Sequence, residues 1–516
     1  MTAAAGMSAA APPHRGMIVV SVMLATIMQA LDTTIANVAL PHMQGSLSAT
    51  QEQISWVLTS YIVAAAIMTP PTGFLAARFG RKRLFLIAVA CFTVASVLCG
   101  MAQSLPQMVA FRLLQGVFGA ALVPLSQAVL LDSYPKEQHG SAMALWGVGV
   151  MVGPILGPTL GGYLTDVYNW RWVFLINLPF GIMAFLGILG FVPETTRDRE
   201  RPFDLFGFAM LSLGIGALQL MLDRGETKGW FGSTEIIIEA AIASLGLYLF
   251  IVQMTTADRP FLEPRLFKDR NLVVGLLFIF VVGIVLLATL ALMPPFLQNL
   301  MGYPVITTGM VLAPRGIGTM IAMLLVGRLV GRVDARLLIF AGLAITALSL
   351  WEMAGFTTDV SEGAIIRTGV LQGLGLGFIF VPLSALTFAT LAADLRTEAT
   401  GMFSLMRNVG SSIGVSVVTA LLAQYTQINH ANLVEHVTPY NPMMQAPLLP
   451  PMWDPATPGG LAALDAAVTA QAATIAYLND FRLMMYVVLL ALPMLLLLRR
   501  PARARSAPAT AVAAVD

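Results

Sequence analysis

Asp32 and Arg112 are the residues whose chemistry is hardest to reconcile with their surroundings. Asp32 stands in Gln29-Ala-Leu-Asp-Thr-Thr-Ile-Ala-Asn-Val-Ala-Leu-Pro41, about two-thirds of the way along an apolar stretch from 17 to 40. Arg112 stands in Leu105-Pro-Gln-Met-Val-Ala-Phe-Arg-Leu-Leu-Gln-Gly-Val-Phe-Gly119, inside another. A carboxylate held in such surroundings costs roughly 3 kcal/mol or more, so it should face a cavity or a partner. At about 1.5 Å of helix rise per residue, Arg112 lies roughly 7–8 Å inside the outer end of its stretch. Asp32 comes out at nearly the same depth, so an ion pair is expected. Such a pair can be purely structural. However, burial disfavours a charged carboxyl while a guanidinium favours it, so a carboxylate that alternately meets arginine and water can load and release a proton. Helical spacing places Thr26, Gln29, Asp32, Thr33 and Asn37 on one broad polar face, and Arg112, Gln115, Gly116 and Gly119 on another.

The later part of the chain is basic where it is buried. Arg315 falls near the middle of its apolar stretch and Arg407 in the inner part of another; Glu352 is the nearest acid for Arg315, with backbone carbonyls an equal alternative. No carboxylate there is placed as deep as Asp32. One acid and several buried arginines compensate a dication poorly, which favours neutral or weakly acidic lipophiles. Gln29, Thr33, Asn37, Gln115 and Arg315 are the candidate cavity residues.

These residues need elements that hold them in lipid. The 516-residue chain is 57% hydrophobic and 11% charged, against about 25% charged in soluble domains. Fourteen stretches approach the ~20 residues that span a bilayer as a helix. They are 17–40, 54–76, 84–104, 107–131, 141–163, 172–192, 204–222, 235–254, 271–296, 306–327, 337–356, 364–391, 400–424 and 481–498. Of the 26 basic residues assigned to one side or the other, 22 fall on one side and Arg171, Arg224, Lys228 and Arg367 on the other. The positive-inside rule then makes both termini cytoplasmic, which requires an even number of spans. Gly73-Phe-Leu-Ala-Ala-Arg78 is echoed by Gly327-Arg-Leu-Val-Gly-Arg332, as in transporters built from repeats. The expected plan is all-α: a disordered tail (1–16), a six-helix bundle (17–192), a two-helix insert (193–270), a second six-helix bundle (271–498) and a basic tail (499–516). An external loop (425–480) interrupts the second bundle, with a small helix at 459–478 near the membrane surface.

Other chemistries find no support. None of the four lysines follows a glycine, so there is no Gly-Lys-Ser/Thr phosphate loop and an ion gradient is the expected energy source. Cys91 and Cys99 lie eight residues apart in one stretch, too far for a disulfide if helical. The five histidines lack metal-ligand spacing. No cofactor, metal or nucleic acid is expected. A membrane-embedded enzyme would need a catalytic constellation, and none is found.

Three motifs carry a family resemblance. Gly73-Phe-Leu-Ala-Ala-Arg78-Phe-Gly80-Arg81-Lys82-Arg83 forms a basic turn whose glycines permit tight packing. It resembles the signature loop of the major facilitator superfamily, except that Ala77 replaces the usual Asp. The Arg112 segment resembles the family's fourth-helix motif, whose Arg is implicated in proton transfer. Gly149, Gly153, Gly157 and Gly161 recur every fourth residue, with Pro154, Pro158 and Gly162 interleaved. Small residues at that spacing allow close helix contact; the whole run resembles the antiporter motif of the superfamily's exporters. Leu31–Pro41, Trp170–Gly181, Met221–Trp230 and His436–Pro442 narrow the likeness to the fourteen-helix EmrB/QacA branch of drug:proton antiporters, nearer its EmrB side. The resemblance implies proton-driven export of lipophilic compounds across a bacterial inner membrane, with a periplasmic adaptor and an outer-membrane channel as partners. Proton-coupled uptake of a small polar solute is the alternative, disfavoured by the glycine-proline stripe.

Overall fold

The computed structural model describes residues 14–135, 138–195, 203–392, 395–438, 441, 453 and 457–499. The expected tails beyond these limits, Lys136, Arg197, Arg199, Arg201 and most of the 439–456 segment lie outside the described residues. Among the described residues the regular structure is helical throughout.

Thirteen helices are long and apolar enough to cross a membrane, and one bent pair supplies a fourteenth span. The first bundle contains α1 (Arg15–Ser46), α2 (Trp56–Met68 with Thr72–Phe79), α3 (Arg81–Met101), α4 (Leu105–Ser133), α5 (His139–Val167) and α6 (Trp172–Phe191). The inserted pair is α7 (Leu205–Lys228) and α8 (Thr234–Thr256). The second bundle contains α9 (Arg270–Leu300), α10 (Val305–Leu329), α11 (Ala335–Met353), α12 (Glu362–Ala389), α13 (Arg396–Val434) and α14 (Pro458–Leu497).

Local chemistry sets several boundaries. Prolines 70 and 71 break α2, whose two pieces meet at 57°, because proline cannot donate to the helical ladder. Asp269, Ser361 and Thr457 cap α9, α12 and α14 by accepting backbone hydrogen bonds from Leu272, Ala364 and Gly460. Two expected boundaries need correction. The 39-residue α13 is roughly 58 Å long at helical rise, well beyond a ~30 Å hydrocarbon layer. The helix expected at 459–478 is the first part of α14, continuous with the last span. Much of the expected loop is therefore a helical pair, held by Asn429 Nδ2 donating to the Ala472 carbonyl (3.3 Å) and His430 facing Asp465 (3.0 Å). Tertiary packing decides this, because Ala-rich helix and Ala-rich loop look alike in composition.

The two bundles meet along symmetry-related seams. Gly327 of α10 packs on Ala144 of α5, and its carbonyl accepts from Ser141 Oγ (3.0 Å). Its counterpart Gly73 of α2 packs on Glu398 of α13. The inserted α7 fills one side: Ser412 and Ser416 of α13 donate to Gln219 and to the Leu222 carbonyl, while Thr59 of α2 donates to Asp223.

Candidate functional site

Asp32, Arg112, Gln115 and Asn177 form one buried cluster inside the first bundle, each at most 1% exposed. The Asp32 carboxylate accepts from Arg112 Nη1 (2.8 Å), Gln115 Nε2 (2.8 Å) and Asn177 Nδ2 (2.9 Å). Arg112 also donates to Gln115 Oε1 (2.7 Å) and, through Nε, to the Val57 carbonyl (3.1 Å). Its guanidinium lies 4.4 Å from the centroid of the Tyr61 ring, a cation–π contact. Ser96 accepts from Asn177 (2.9 Å), and Cys99 Sγ lies 3.6 Å from Gln115 Oε1. Three helices, α1, α4 and α6, thus meet at one carboxylate, and the expected ion pair is present. A buried pair needs its remaining lone pairs and donors satisfied to offset desolvation, and the two amides supply that.

The polar face expected on α1 divides. Asp32 and Thr26 turn into the bundle, whereas Gln29 and Thr33 are half-buried and Asn37 is exposed. Gln29 joins the two sets by donating to the Tyr61 hydroxyl (3.3 Å). Thr33 donates to the Ala30 carbonyl and Asn37 to the Thr33 carbonyl. Gln115, expected to line a cavity, instead lies fully buried against the ion pair. Arg315 is also buried and donates to the Leu286 carbonyl (3.3 Å); Glu352 pairs with Arg367 instead (3.1 Å). The second bundle holds a further sequestered acid, Asp480. It is 1% exposed in α14, and neither carboxylate oxygen has a hydrogen bond among the described residues.

On α5 the glycine stripe faces α1. A Cβ at Gly153 would collide with the Ala30 carbonyl group, and one at Gly157 with Thr34. The gap is used: Thr34 Oγ1 donates to the Gly153 carbonyl at 3.0 Å. Gly149 packs on Met23 and Gly161 on Ile35, while Gly162 meets nothing within 4 Å. Pro154 and Pro158 lie within the same helix.

At the basic end, Asp132 at the close of α4 binds both Arg81 and, at 2.7 Å, Arg396 of α13. Arg81 also donates to Thr397 (2.9 Å), so an acid of the first bundle and a basic pair drawn from both link the bundles at this end. The acid that pairs with Arg81 of this loop is thus Asp132, fifty-one positions further on. Gly80 joins α2 to α3 at φ 91°, a left-handed value that L side chains avoid. Arg78 lies in the last turn of α2, and the Lys82 backbone N–H donates to Glu194 (3.2 Å).

The sequence profile of the Major Facilitator Superfamily matches residues 22–415. This chain belongs to the major facilitator superfamily. Within it, the multidrug export protein EmrB of Haemophilus influenzae is 37% identical over 446 residues, covering 84% of this chain and 86% of that one. The fatty acid resistance protein FarB of Neisseria gonorrhoeae is 39% identical over 435 residues, covering 83% and 86%. The superfamily's proton:xylose symporter XylE shares the fold at a TM-score of 0.59 and 14% identity, covering 92% of this chain and 94% of that one. A multi-pass membrane protein of transporter type is therefore established.

Sequence reasoning missed Tyr61, Asn177 and Asp132 as members of these clusters. Asn177 carried a signal, since it lies inside the Trp170–Gly181 segment that bears the family likeness. Tyr61 and Asp132 carried none, because their partners lie on other helices.

Proposed function

We propose that this protein is a proton-coupled exporter of lipophilic compounds, and that Asp32 carries the proton. The observation behind this reading is the carboxylate buried with one arginine and two amides. In the present arrangement Asp32 is a charged acceptor for three donors. A proton arriving at its carboxyl removes the charge that holds Arg112, leaving the guanidinium to Gln115, the Val57 carbonyl and the Tyr61 face. The ion pair then loosens, and α1 is freed from α4 and α6. The α1–α5 contact at Gly153 and Gly157 passes that movement to α5, which packs on α10 of the other bundle. The Gln29–Thr33–Asn37 strip leads protons toward Asp32 from the end opposite the Asp132 latch. Release of that latch accompanies opening of the basic end.

Neutral and weakly acidic lipophiles are the proposed substrates. Arg315 supplies a buried cation in the second bundle, and one relative is named for resistance to fatty acids. The proposed location is a bacterial inner membrane with both termini cytoplasmic. An adaptor protein and an outer-membrane channel are partners implied by the resemblance to EmrB-type proteins, and the α13–α14 extension lies on the side where they would bind.

The test is accumulation of a fluorescent lipophile in cells with and without the gene, each with and without an uncoupler. Export predicts lower accumulation only in energised cells carrying the gene; an unchanged level would refute it. Reporter fusions after residues 300 and 450 are expected to read external, and a cytoplasmic signal at either would overturn the orientation.

A further inference from the structure

In the second bundle, a cleft of about 590 Å³ lies between the ends of α11 and α12 remote from the basic turns and the middle of α14. Trp351, Glu352, Phe356, Arg367, Arg482 and Tyr486 line it. Two guanidiniums against one carboxylate leave it positive. Arg367 shares its charge with Glu352. Arg482 is exposed and has no hydrogen bond or ion pair among the described residues.

Its depth makes that exposure unusual. Sixteen residues separate Arg482 from Leu498 at the basic end, roughly 25 Å of helix against a hydrocarbon layer of ~30 Å. The guanidinium thus reaches the far interface, where an arginine can extend its head group toward the lipid polar layer. The surrounding surface faces lipid. Leu348 and Leu490, further toward the basic end on the same helices, are exposed apolar side chains, and Trp351 and Tyr486 are 64% and 60% exposed. Aromatic residues at this level form an ordinary interfacial belt, but a belt needs neither a cleft nor converging arginines. A cation in this position without a protein partner takes its counter-charge from outside the chain.

We propose that this cleft binds an anionic phospholipid, its phosphate between Arg482 and Arg367 and its acyl chains along α11 and α14. On the topology above, the lipid belongs to the outer leaflet. The binding itself does not depend on the direction or energy source of transport.

Trp351 provides a local reporter. The full-length protein in detergent micelles is titrated with brominated phosphatidylglycerol, and the quenching lost in Trp351→Phe is assigned to the cleft. Saturable quenching by this lipid and none by brominated phosphatidylcholine is expected. Arg482→Gln should weaken it about five-fold, the equivalent of ~1 kcal/mol for one basic residue at a membrane surface. Arg367→Gln should weaken it less, and Arg482→Lys should retain most of it. Equal quenching by the two lipids, or an unchanged titration in a folded Arg482→Gln protein, would overturn the proposal. Competition by millimolar inorganic phosphate would overturn the lipid assignment and indicate a free-anion site.

Discussion

Helices α4 and α12 occupy equivalent places in the two bundles and share two runs of sequence. Leu114-Gln115-Gly116 matches Leu371-Gln372-Gly373, and Val123-Pro-Leu-Ser126 matches Val381-Pro-Leu-Ser384. In each bundle the glutamine reaches the first helix. Gln115 donates to Asp32 of α1 at 2.8 Å, and Gln372 to Thr289 of α9 at 3.1 Å. Three positions before the glutamine stands Arg112 in one bundle and Gly369 in the other. Close packing is shared as well. Thr34 of α1 donates to the Gly153 carbonyl of α5, and Ser411 of α13 to the Gly283 carbonyl of α9. A Cβ at Gly410 would strike the Phe280 backbone, much as one at Gly153 strikes Ala30. The duplicated scaffold retains its small-residue contacts and its amide, while among the described residues the fully buried ion pair occurs in the first bundle only. A neutral hydroxyl–amide contact gains little from a proton, whereas an ion pair is dismantled by one.

The largest effect expected from this asymmetry is at Asp32. Asp32→Asn should abolish substrate-driven proton flux in proteoliposomes, and Asp32→Glu should keep part of it. Normal flux in Asp32→Asn would show that the proton binds elsewhere. Gly153→Leu and Gly157→Leu should also block export while leaving membrane insertion intact. If packing is truly duplicated, Gly410→Leu should do the same; normal export in any of these would reduce that contact to incidental packing.

Arg112→Ala should impair export severely without erasing it. Removing one partner of a buried pair costs about 3–5 kcal/mol, and the loss should appear as a lower melting temperature together with slower exchange. The mildest expected outcome is in the second bundle. Gln372→Ala and Asp480→Asn should leave proton coupling close to normal, because neither group belongs to an ion pair. Loss of substrate-driven flux in Asp480→Asn would break the comparison and divide coupling between the bundles.

Much of the site was legible because charge in lipid is rare enough to stand out. Asp32 and Arg112 could be paired by depth alone, since helical rise fixes height in a membrane whatever the bundle's arrangement. Rotation about each helix axis could not be read in that way. Spacing alone therefore groups Gln115 with the cavity residues and leaves the α1 face as one strip. Scarcity of acids points Glu352 toward Arg315, whereas in the fold Arg367 on the neighbouring helix pairs with it. The latch acid was hidden because Asp132 is an ordinary residue at a helix end until the fold brings Arg81 and Arg396 to it.

Taken by itself, the sequence determined which segments enter lipid, how many there are, the internal repeat, and where charge interrupts them. Those properties follow from transfer free energies and helical geometry, which act on each segment separately. Only the tertiary structure decided that Asn177 and Tyr61 complete the Asp32 cluster, that α13 and α14 continue as a helical pair through much of the expected loop, and that Arg482 opens onto a cleft. Each depends on how neighbouring helices are turned toward one another, and that orientation is set by contacts between residues far apart in the chain.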